Sequence, residues 1–196
     1  MCITADNVAA QWAISLEEPR TFAAASQIKA IVVIRDGRFK NEIVLTEIPR
    51  RHGTPMVFDT DKFPQEGNTA AALSELRPAF KQNGSVTAAH ADSASVDQRW
   101  RAAAVPVIAA SVARGLGRKP LARIAACAKA RVNPKIMGTD DPIPVARACL
   151  KKAGWSVDQL DLIEANEAFA AQAISVNREM GWDTDKVNVN GGAIAL

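Results

Sequence analysis

Alternating helix and strand signals in the last third of the chain constrain its fold most strongly. Pro144 begins a predicted helix that Gly154 ends. Ser156 and Gln159 form a predicted capping box, and a predicted strand follows at residues 160–164. A second helix is predicted over residues 166–180 and a second strand over residues 187–190. Because helices that alternate with strands along a chain are typical of a layered sheet, the sequence predicts an α/β fold.

The first part of the chain predicts two helices and then an extended segment. Thr4 is the predicted N-cap of the first helix. Ser15 and Glu18 form the Ser-x-x-Glu capping box of the second helix. Gly37 ends that helix, because glycine readily adopts the left-handed conformation of a helix end. A strand is predicted over residues 42–48.

The middle of the chain is less regular. A short strand is predicted at residues 56–58 and a short helix over residues 69–76. Residues 88–101 show neither helical nor strand period, which predicts a loop. A helix is predicted over residues 102–113, and Pro106 is expected to kink it or to delay its start. The apolar residues 121–130 fit a strand or a helix equally well by their period.

Length and charge exclude several classes of protein. The 196 residues suffice for one large or two small domains, and a change in composition at residues 118–120 is the predicted boundary. A net charge of +3 does not imply a nucleic-acid partner. No apolar run reaches the roughly 18–20 residues of a membrane span, and the start lacks a signal peptide. We therefore expect no membrane partner and a cytoplasmic location.

Two strand-to-helix junctions are candidate sites, since ligands of open α/β sheets bind where strands end. Asn166 lies at the predicted start of the last helix, where its carboxamide could donate to a ligand. The alternative is that Asn166 is a plain N-cap and Glu167 a first-turn carboxylate that favours the helix dipole. Gly191 and Gly192 would let a ligand approach the backbone, or they simply form a turn.

The cysteines and histidines predict no catalytic pair. Cys127 and Cys149 lie in apolar segments that are typical of inert core positions, and Cys2 lies near a helix start. Neither His52 nor His90 is spaced from a cysteine or serine as a catalytic pair would be. No metal site and no glycine-rich phosphate loop is predicted.

Long motifs in the chain resemble the thiolase family, in particular the biosynthetic acetyl-CoA acetyltransferases. The C-terminal ones are Asn-Glu-Ala-Phe-Ala-Ala-Gln at residues 166–172 and Val-Asn-Val-Asn-Gly-Gly-Ala-Ile-Ala at residues 187–195. Residues 1–8, 76–80 and 134–144 are also similar to segments of that family. The resemblance implies a layered α/β thiolase-like fold that is incomplete in this chain. It comprises the loop domain that covers CoA and the start of the C-terminal domain.

The resemblance also implies roles for individual residues. Thiolases condense two acetyl-CoA into acetoacetyl-CoA, or catalyse the reverse thiolysis, with a CoA thioester as substrate and no separate cofactor. Asn166 matches the asparagine that holds the oxyanion-hole water, a preorganised donor for the developing charge. The residues that match positions lining the acyl and CoA pocket are Met1, Phe80, Ala88, Ala168 and Phe169.

Other thiolase positions have no counterpart in the 196 residues. The nucleophilic cysteine, the histidine of the Gly-His-Pro motif and the second cysteine are not matched by Cys2, Cys127 or Cys149. We therefore expect a fragment that lacks both ends and that forms no acyl-enzyme. The motif expected after Thr87 is also lost, and compensating frame changes around residues 89–101 are one hypothesis, which the nucleotide sequence of the gene would decide.

The resemblance implies three segments and one function, beside which two alternative functions stay open. Residues 1–87 are predicted to be the loop-domain portion, residues 88–117 a return into the N-terminal domain and residues 118–196 the first part of the C-terminal domain. The function implied is acetyl-CoA C-acetyltransferase by descent, with a homo-oligomer as in the family. The alternatives are a non-catalytic thiolase remnant that binds CoA or a partner, and an unrelated α/β binding module.

Overall fold

The structure, a computed structural model, is dominated by helices. It describes residues 2–61, 63–64, 66–79, 84, 86–87, 106–136 and 142–195. The helices in these ranges are α1 (Cys2–Gln11), α2 (Glu17–Asp36), α3 (Ala70–Ser74), α4 (Ala110–Gly115), α5 (Pro142–Ala153) and α6 (Ala170–Met180). Short 3₁₀ turns lie at Val157–Gln159, Thr184–Lys186 and Ala193–Ala195. None of the helices in these ranges is long and apolar enough to cross a membrane.

Helix α6 organises the core, because α1, α2 and α5 all pack against it. Its buried residues are mostly small: Ala170, Ala171, Gln172, Ala173, Ser175, Val176 and Met180. Small side chains let neighbouring helices approach closely. Ala170 joins Ala23 and Leu73 in one apolar cluster, and Val176 joins Ile143 in another. Burial of a valine such as Val176 contributes about 1.5–3 kcal/mol.

Predicted helix ends that depend on glycine are confirmed. Gly37 follows α2 with φ 65°, and its N–H donates to Ile34 O at 3.1 Å. Gly181 follows α6 with φ 62°, and its N–H donates to Asn177 O at 3.1 Å. The predicted end of α5 at Gly154 is also confirmed. These helix ends are predictable because the signal lies within the last turn.

One half of the capping box predicted for α2 is present. The backbone N–H of Ser15 donates to Glu18 Oε2 at 2.7 Å, and α2 begins at Glu17 after Leu16. Glu18 also pairs with Arg178 of α6, which ties the start of α2 to the end of α6. The bond from the Ser15 N–H, the Ser15 hydroxyl and the charge of Arg178 together lower the pKa of Glu18, against partial desolvation.

The lowered pKa of Glu18 predicts a pH-dependent contribution to stability. Because folding favours the ionised form, this contribution is present above the ordinary pKa of 4.5 and is lost as the pH falls through the lowered folded-state pKa. We expect Glu18→Gln to lower the free energy of unfolding at neutral pH by less than about 1 kcal/mol, since the pair is exposed. Urea unfolding of both proteins at neutral and acidic pH measures the difference, which should shrink on acidification. Glu47→Gln, on an exposed strand, is the control, and a difference that stays constant with pH would refute the assignment.

The predicted strands of the first part form a short antiparallel hairpin. Strand β1 (Thr46–Ile48) pairs with β2 (Met56–Phe58), which confirms the strand predicted at residues 56–58. The strand predicted over residues 42–48 is too long. The Ile43 N–H donates to Phe39 O at 3.2 Å, so the chain is still turning after α2.

The two strands predicted near the C-terminus are wrong as regular strands. Residues 160–164 and 187–190 share one parallel bridge, between Ile163 and Val187. The Asn188 N–H donates to Ile163 O at 2.9 Å, but φ of Asn188 is 45° and the backbone then leaves the extended region. The left-handed residue ends the pairing, as asparagine can at little cost.

Several boundaries in the middle of the chain also differ from those predicted. Helix α5 begins at Pro142 rather than Pro144, with the proline in the first turn. The helix predicted from residue 102 begins at Ala110. Residues 121–130 form neither helix nor strand, and the loop predicted at residues 88–101 lies outside the described residues.

Candidate functional site

A non-helical segment precedes α6 and presents Asn166 at the surface. The sequence predicts that this helix begins at Asn166, but it begins at Ala170, after Phe169 with φ −147° and ψ 144°. Asn166 is exposed, whereas the next residue, Glu167, is 2% exposed. The N-cap interpretation of Asn166 is therefore wrong, and its carboxamide faces outward.

Glu167 is the centre of a buried hydrogen-bond network. Its Oε2 accepts from Ser26 Oγ at 2.8 Å and from the Ile194 N–H at 3.2 Å. Its Oε1 accepts from Asn188 Nδ2 at 2.8 Å. A buried carboxylate is tolerated only when donors replace its lost water, and three donors do so here. The interpretation of Glu167 as a first-turn carboxylate is wrong, because the helix begins at Ala170.

Asn188, in the motif at residues 187–195, holds the segment before α6 through two hydrogen bonds to Ala165. Its Nδ2 donates to Ala165 O at 2.8 Å, and its Oδ1 accepts from the Ala165 N–H at 2.9 Å. The carboxamide thus makes the pair of hydrogen bonds that a neighbouring strand's backbone would make, next to the Ile163–Val187 bridge. Sequence reasoning missed this role of Asn188. The signal available was polar residues alternating with valine in Val-Asn-Val-Asn.

Protein atoms fill the space that a side chain would take at Gly191 and Gly192. The Gly192 N–H donates to Ser26 Oγ at 3.0 Å, and a Cβ at Gly192 would overlap the carboxylate of Glu167. Gly191 has φ +84°, and a Cβ there would lie 2.8 Å from Ser26 O and 2.9 Å from Ala30 Cβ. The close approach at both glycines is made by α2 and Glu167, and access of a ligand to their half-buried backbone stays a prediction.

Two charged side chains, Glu164 and Lys29, lie near the network. Partial burial raises the pKa of Glu164, and the nearby charge of Glu167 raises it further, while Lys29 opposes both. Glu164 still has an exposed outer surface. Lys29 of α2 donates from Nζ to Val187 O at 3.0 Å. The same ammonium group therefore bonds to a residue of the Ile163–Val187 bridge and attracts the Glu164 carboxylate.

Ala168 and Phe169 join the C-terminal motif to the first helix. Phe169 is 6% exposed and packs with Ala5 and Val86, and Ala168 and Cys2 lie against the same cluster. The structure therefore brings two of the predicted pocket residues beside Asn166. Their contact with a CoA thioester stays a prediction.

The remaining candidate residues are distributed as follows. Met1, Phe80 and Ala88 lie outside the described residues, as does His90. His52 is exposed.

The prediction of a core position is wrong for Cys127, which is exposed in a segment that forms neither helix nor strand. Cys149 is half-buried on α5, and Cys2 is half-buried as well. In the described ranges, no group of three or more His, Cys, Asp or Glu side chains could hold a metal ion.

Comparisons with known proteins identify the family. Residues 1–98 match the family model "Thiolase, N-terminal domain" and residues 118–196 match "Thiolase, C-terminal domain". The acetyl-CoA acetyltransferase of Thiocystis violacea is 55% identical over the whole chain, which covers 48% of that protein.

Solved structures agree with the sequence matches. The acetyl-CoA acetyltransferase of Bacillus anthracis superposes with a TM-score of 0.86 at 37% identity, covering 100% of this chain and 48% of that one. Human mitochondrial 3-ketoacyl-CoA thiolase in complex with CoA superposes with a TM-score of 0.84 at 33% identity, covering 99% of this chain and 47% of that one.

The chain belongs to the thiolase family, and it has part of the α/β thiolase fold. Within the family it resembles the acetyl-CoA acetyltransferases, as the motifs predicted. It spans about half the length of the curated relatives that it matches. The three-segment division of the chain remains a prediction.

Proposed function

We propose that the chain forms part of an acetyl-CoA acetyltransferase, which joins two acetyl-CoA into acetoacetyl-CoA and releases one CoA. The observation that carries the proposal is the buried network of Glu167. It fixes the Asn-Glu-Ala-Phe segment against the Asn-Gly-Gly turn and leaves Asn166 exposed. Two long motifs of the family thus meet in one structure, next to the surface position of a predicted oxyanion-hole residue.

Asn166 would contribute to catalysis through a water molecule. A carboxamide offers both a donor and an acceptor, so it can hold a water that in turn donates to an oxyanion. Donors fixed before the reaction are effective because they need no reorganisation when the charge develops. The segment that carries Asn166 is fixed on its buried side, which meets that requirement.

The cysteine chemistry of the reaction is not supplied by the described cysteines. A nucleophilic thiol needs a lowered pKa and an adjacent base. The thiols of Cys2 and Cys149 are half-buried and that of Cys127 is exposed. Within the described ranges the histidine is His52, which lies exposed in a turn between β1 and β2. This favours the second candidate function, a thiolase portion that binds CoA without forming an acyl-enzyme.

Acetyl-CoA treatment of the chain tests both candidates. We expect titration calorimetry to show acetyl-CoA binding with a Kd on the order of micromolar, and Ala168→Leu to weaken it several-fold by filling space next to Phe169. Mass spectrometry should find no acetyl adduct on any of the three cysteines.

Controls separate the outcomes. Asn41→Ala, at an exposed turn, should bind as the wild type does. Absence of binding would reject the proposed pocket and leave a remnant. An acetyl adduct on a cysteine would instead show that the chain carries its own nucleophile.

We infer the remaining partners from the resemblance alone. The proposed substrates are acetyl-CoA and CoA, with no separate cofactor. A homo-oligomer and a cytoplasmic location are proposed on the same basis, and analytical ultracentrifugation of the chain would test the first.

A further inference from the structure

We propose that Ser26 and Glu167 form a positioning pair that holds Asn166 in place. The inference rests on the proposed function, because it assigns Asn166 the task of holding a water. Both members of the pair are buried: Ser26 is 4% and Glu167 is 2% exposed. Neither could contact a substrate directly, so both would act through their neighbours.

Ser26 uses its hydroxyl twice. It donates to Glu167 Oε2 at 2.8 Å and accepts from the Gly192 N–H at 3.0 Å. It thereby links helix α2, the segment that carries Asn166 and the Gly191–Gly192 turn at one atom. The pairs are separated in sequence by 141 and 166 positions, so the link joins the two regions matched by separate thiolase domain models.

The link reaches Asn166 through the backbone, because Asn166 is the neighbour of Glu167 in the chain. Asn166 is exposed whereas Glu167 is buried. The bonds that hold the buried Glu167 side chain therefore restrain the backbone from which Asn166 projects. If Glu167 loses its donor from α2, the segment gains freedom to rotate, and the Asn166 carboxamide turns with it.

The remaining bonds of Glu167 explain why Ser26 is informative. Asn188 and the Ile194 N–H still hold the carboxylate when the hydroxyl is removed, so Ser26→Ala should remain folded. The alanine also fits the small-residue face of α2, which includes Ala23 and Ala30. Ser26→Ala thus removes the bonds of the Ser26 hydroxyl to Glu167 and Gly192 and keeps the other two bonds of Glu167.

Amide hydrogen exchange and ¹⁵N relaxation of the whole chain test the pair. We expect Ser26→Ala to speed exchange of the Gly192 amide, which loses its acceptor, by about tenfold relative to the wild type, and to increase the motion of Asn166 on the nanosecond scale. Amides of α5 should exchange as before. Ser26→Thr, which keeps the hydroxyl, should recover most of the protection.

Ser74→Ala is the matched control, because Ser74 is an exposed helical serine whose hydroxyl donates to the local Ala71 O. It should leave Gly192 and Asn166 unchanged. Equal acceleration at every amide in Ser26→Ala would overturn the inference, since Ser26 would then support only global stability. Unchanged exchange at Gly192 and unchanged motion at Asn166 would overturn it as well.

A parallel acetyl-CoA titration distinguishes this inference from the proposed function. If the wild type binds, Ser26→Ala should raise the Kd several-fold and Ser26→Thr should restore it. If the wild type does not bind, the proposed function fails, and the exchange and relaxation results still decide whether Ser26 and Glu167 hold Asn166.

Discussion

Replacement of Gly192 by alanine should destabilise the folded chain by about 3 kcal/mol, and this is among the largest effects that we expect. A Cβ at this position overlaps the carboxylate of Glu167. A flexible side chain would move away at little cost, but this carboxylate is buried and accepts from three donors, including Ser26 and Asn188. Its displacement would break those bonds. Urea unfolding followed by circular dichroism measures the loss.

Three other glycines separate the possible causes. Gly67 has no positive φ, and no atom lies within 4 Å of the place a Cβ would take, so Gly67→Ala should change stability by less than about 0.5 kcal/mol. Gly53 has φ +93° in open space, so Gly53→Ala reports conformational strain alone, about 1 kcal/mol. Gly191 combines φ +84° with contacts to α2, so Gly191→Ala should cost more than Gly53→Ala. A Gly192→Ala protein as stable as Gly67→Ala would contradict the packing described for Glu167.

Local sequence signals predict those features whose causes lie within one turn. Gly37 and Gly181 end their helices as predicted, and Ser156 and Gln159 form the predicted capping box, in which the Ser156 N–H donates to Gln159 Oε1 at 2.8 Å. Each depends on backbone conformation or on a partner three to five residues away. Such interactions can be read directly from the sequence.

Features set by distant partners are not predictable in this way. The sequence places the start of α6 at Asn166, because Asn and Glu before an apolar run favour a helix start. In the structure Glu167 instead bonds to Ser26, 141 positions away, and the helix begins only at Ala170, after Phe169. Likewise Asn188 ends a predicted strand because its side chain bonds to Ala165. Tertiary contacts decide both against local propensity.

The candidate site shows the same division. The motifs identify the family and Asn166, but the pattern of residues alone does not distinguish an exposed asparagine from an N-cap. Sequence reasoning missed the functions of Ser26 and Asn188. A serine inside an alanine-rich helix carries no special signal, and the alternation in Val-Asn-Val-Asn is interpreted as a strand rather than as a sign of buried side-chain contacts. Their importance becomes visible only when α2 is packed on the glycine turn.

Removal of the Glu167 carboxylate should destabilise the chain by about 3 kcal/mol. Glu167→Ala removes the acceptor of the Ser26 hydroxyl and of the Ile194 N–H, and one of the two acceptors of the Asn188 amide, which keeps Ala165 O. A buried donor without a partner costs about 1–3 kcal/mol. The three costs do not add fully, because the donors share one network and water can enter the space. Urea unfolding at neutral pH gives the value.

Two further variants make the cause of that loss specific. Glu167→Gln keeps the shape but places an N–H₂ group against at least one donor, so we expect an intermediate loss of about 1–2 kcal/mol. Glu66→Ala removes an exposed carboxylate that pairs with Arg35 at 2.7 Å, and it should cost less than about 1 kcal/mol. If Glu167→Ala were no more costly than Glu66→Ala, the carboxylate would not organise the site, because loss of an organising acceptor must exceed loss of a solvated ion pair.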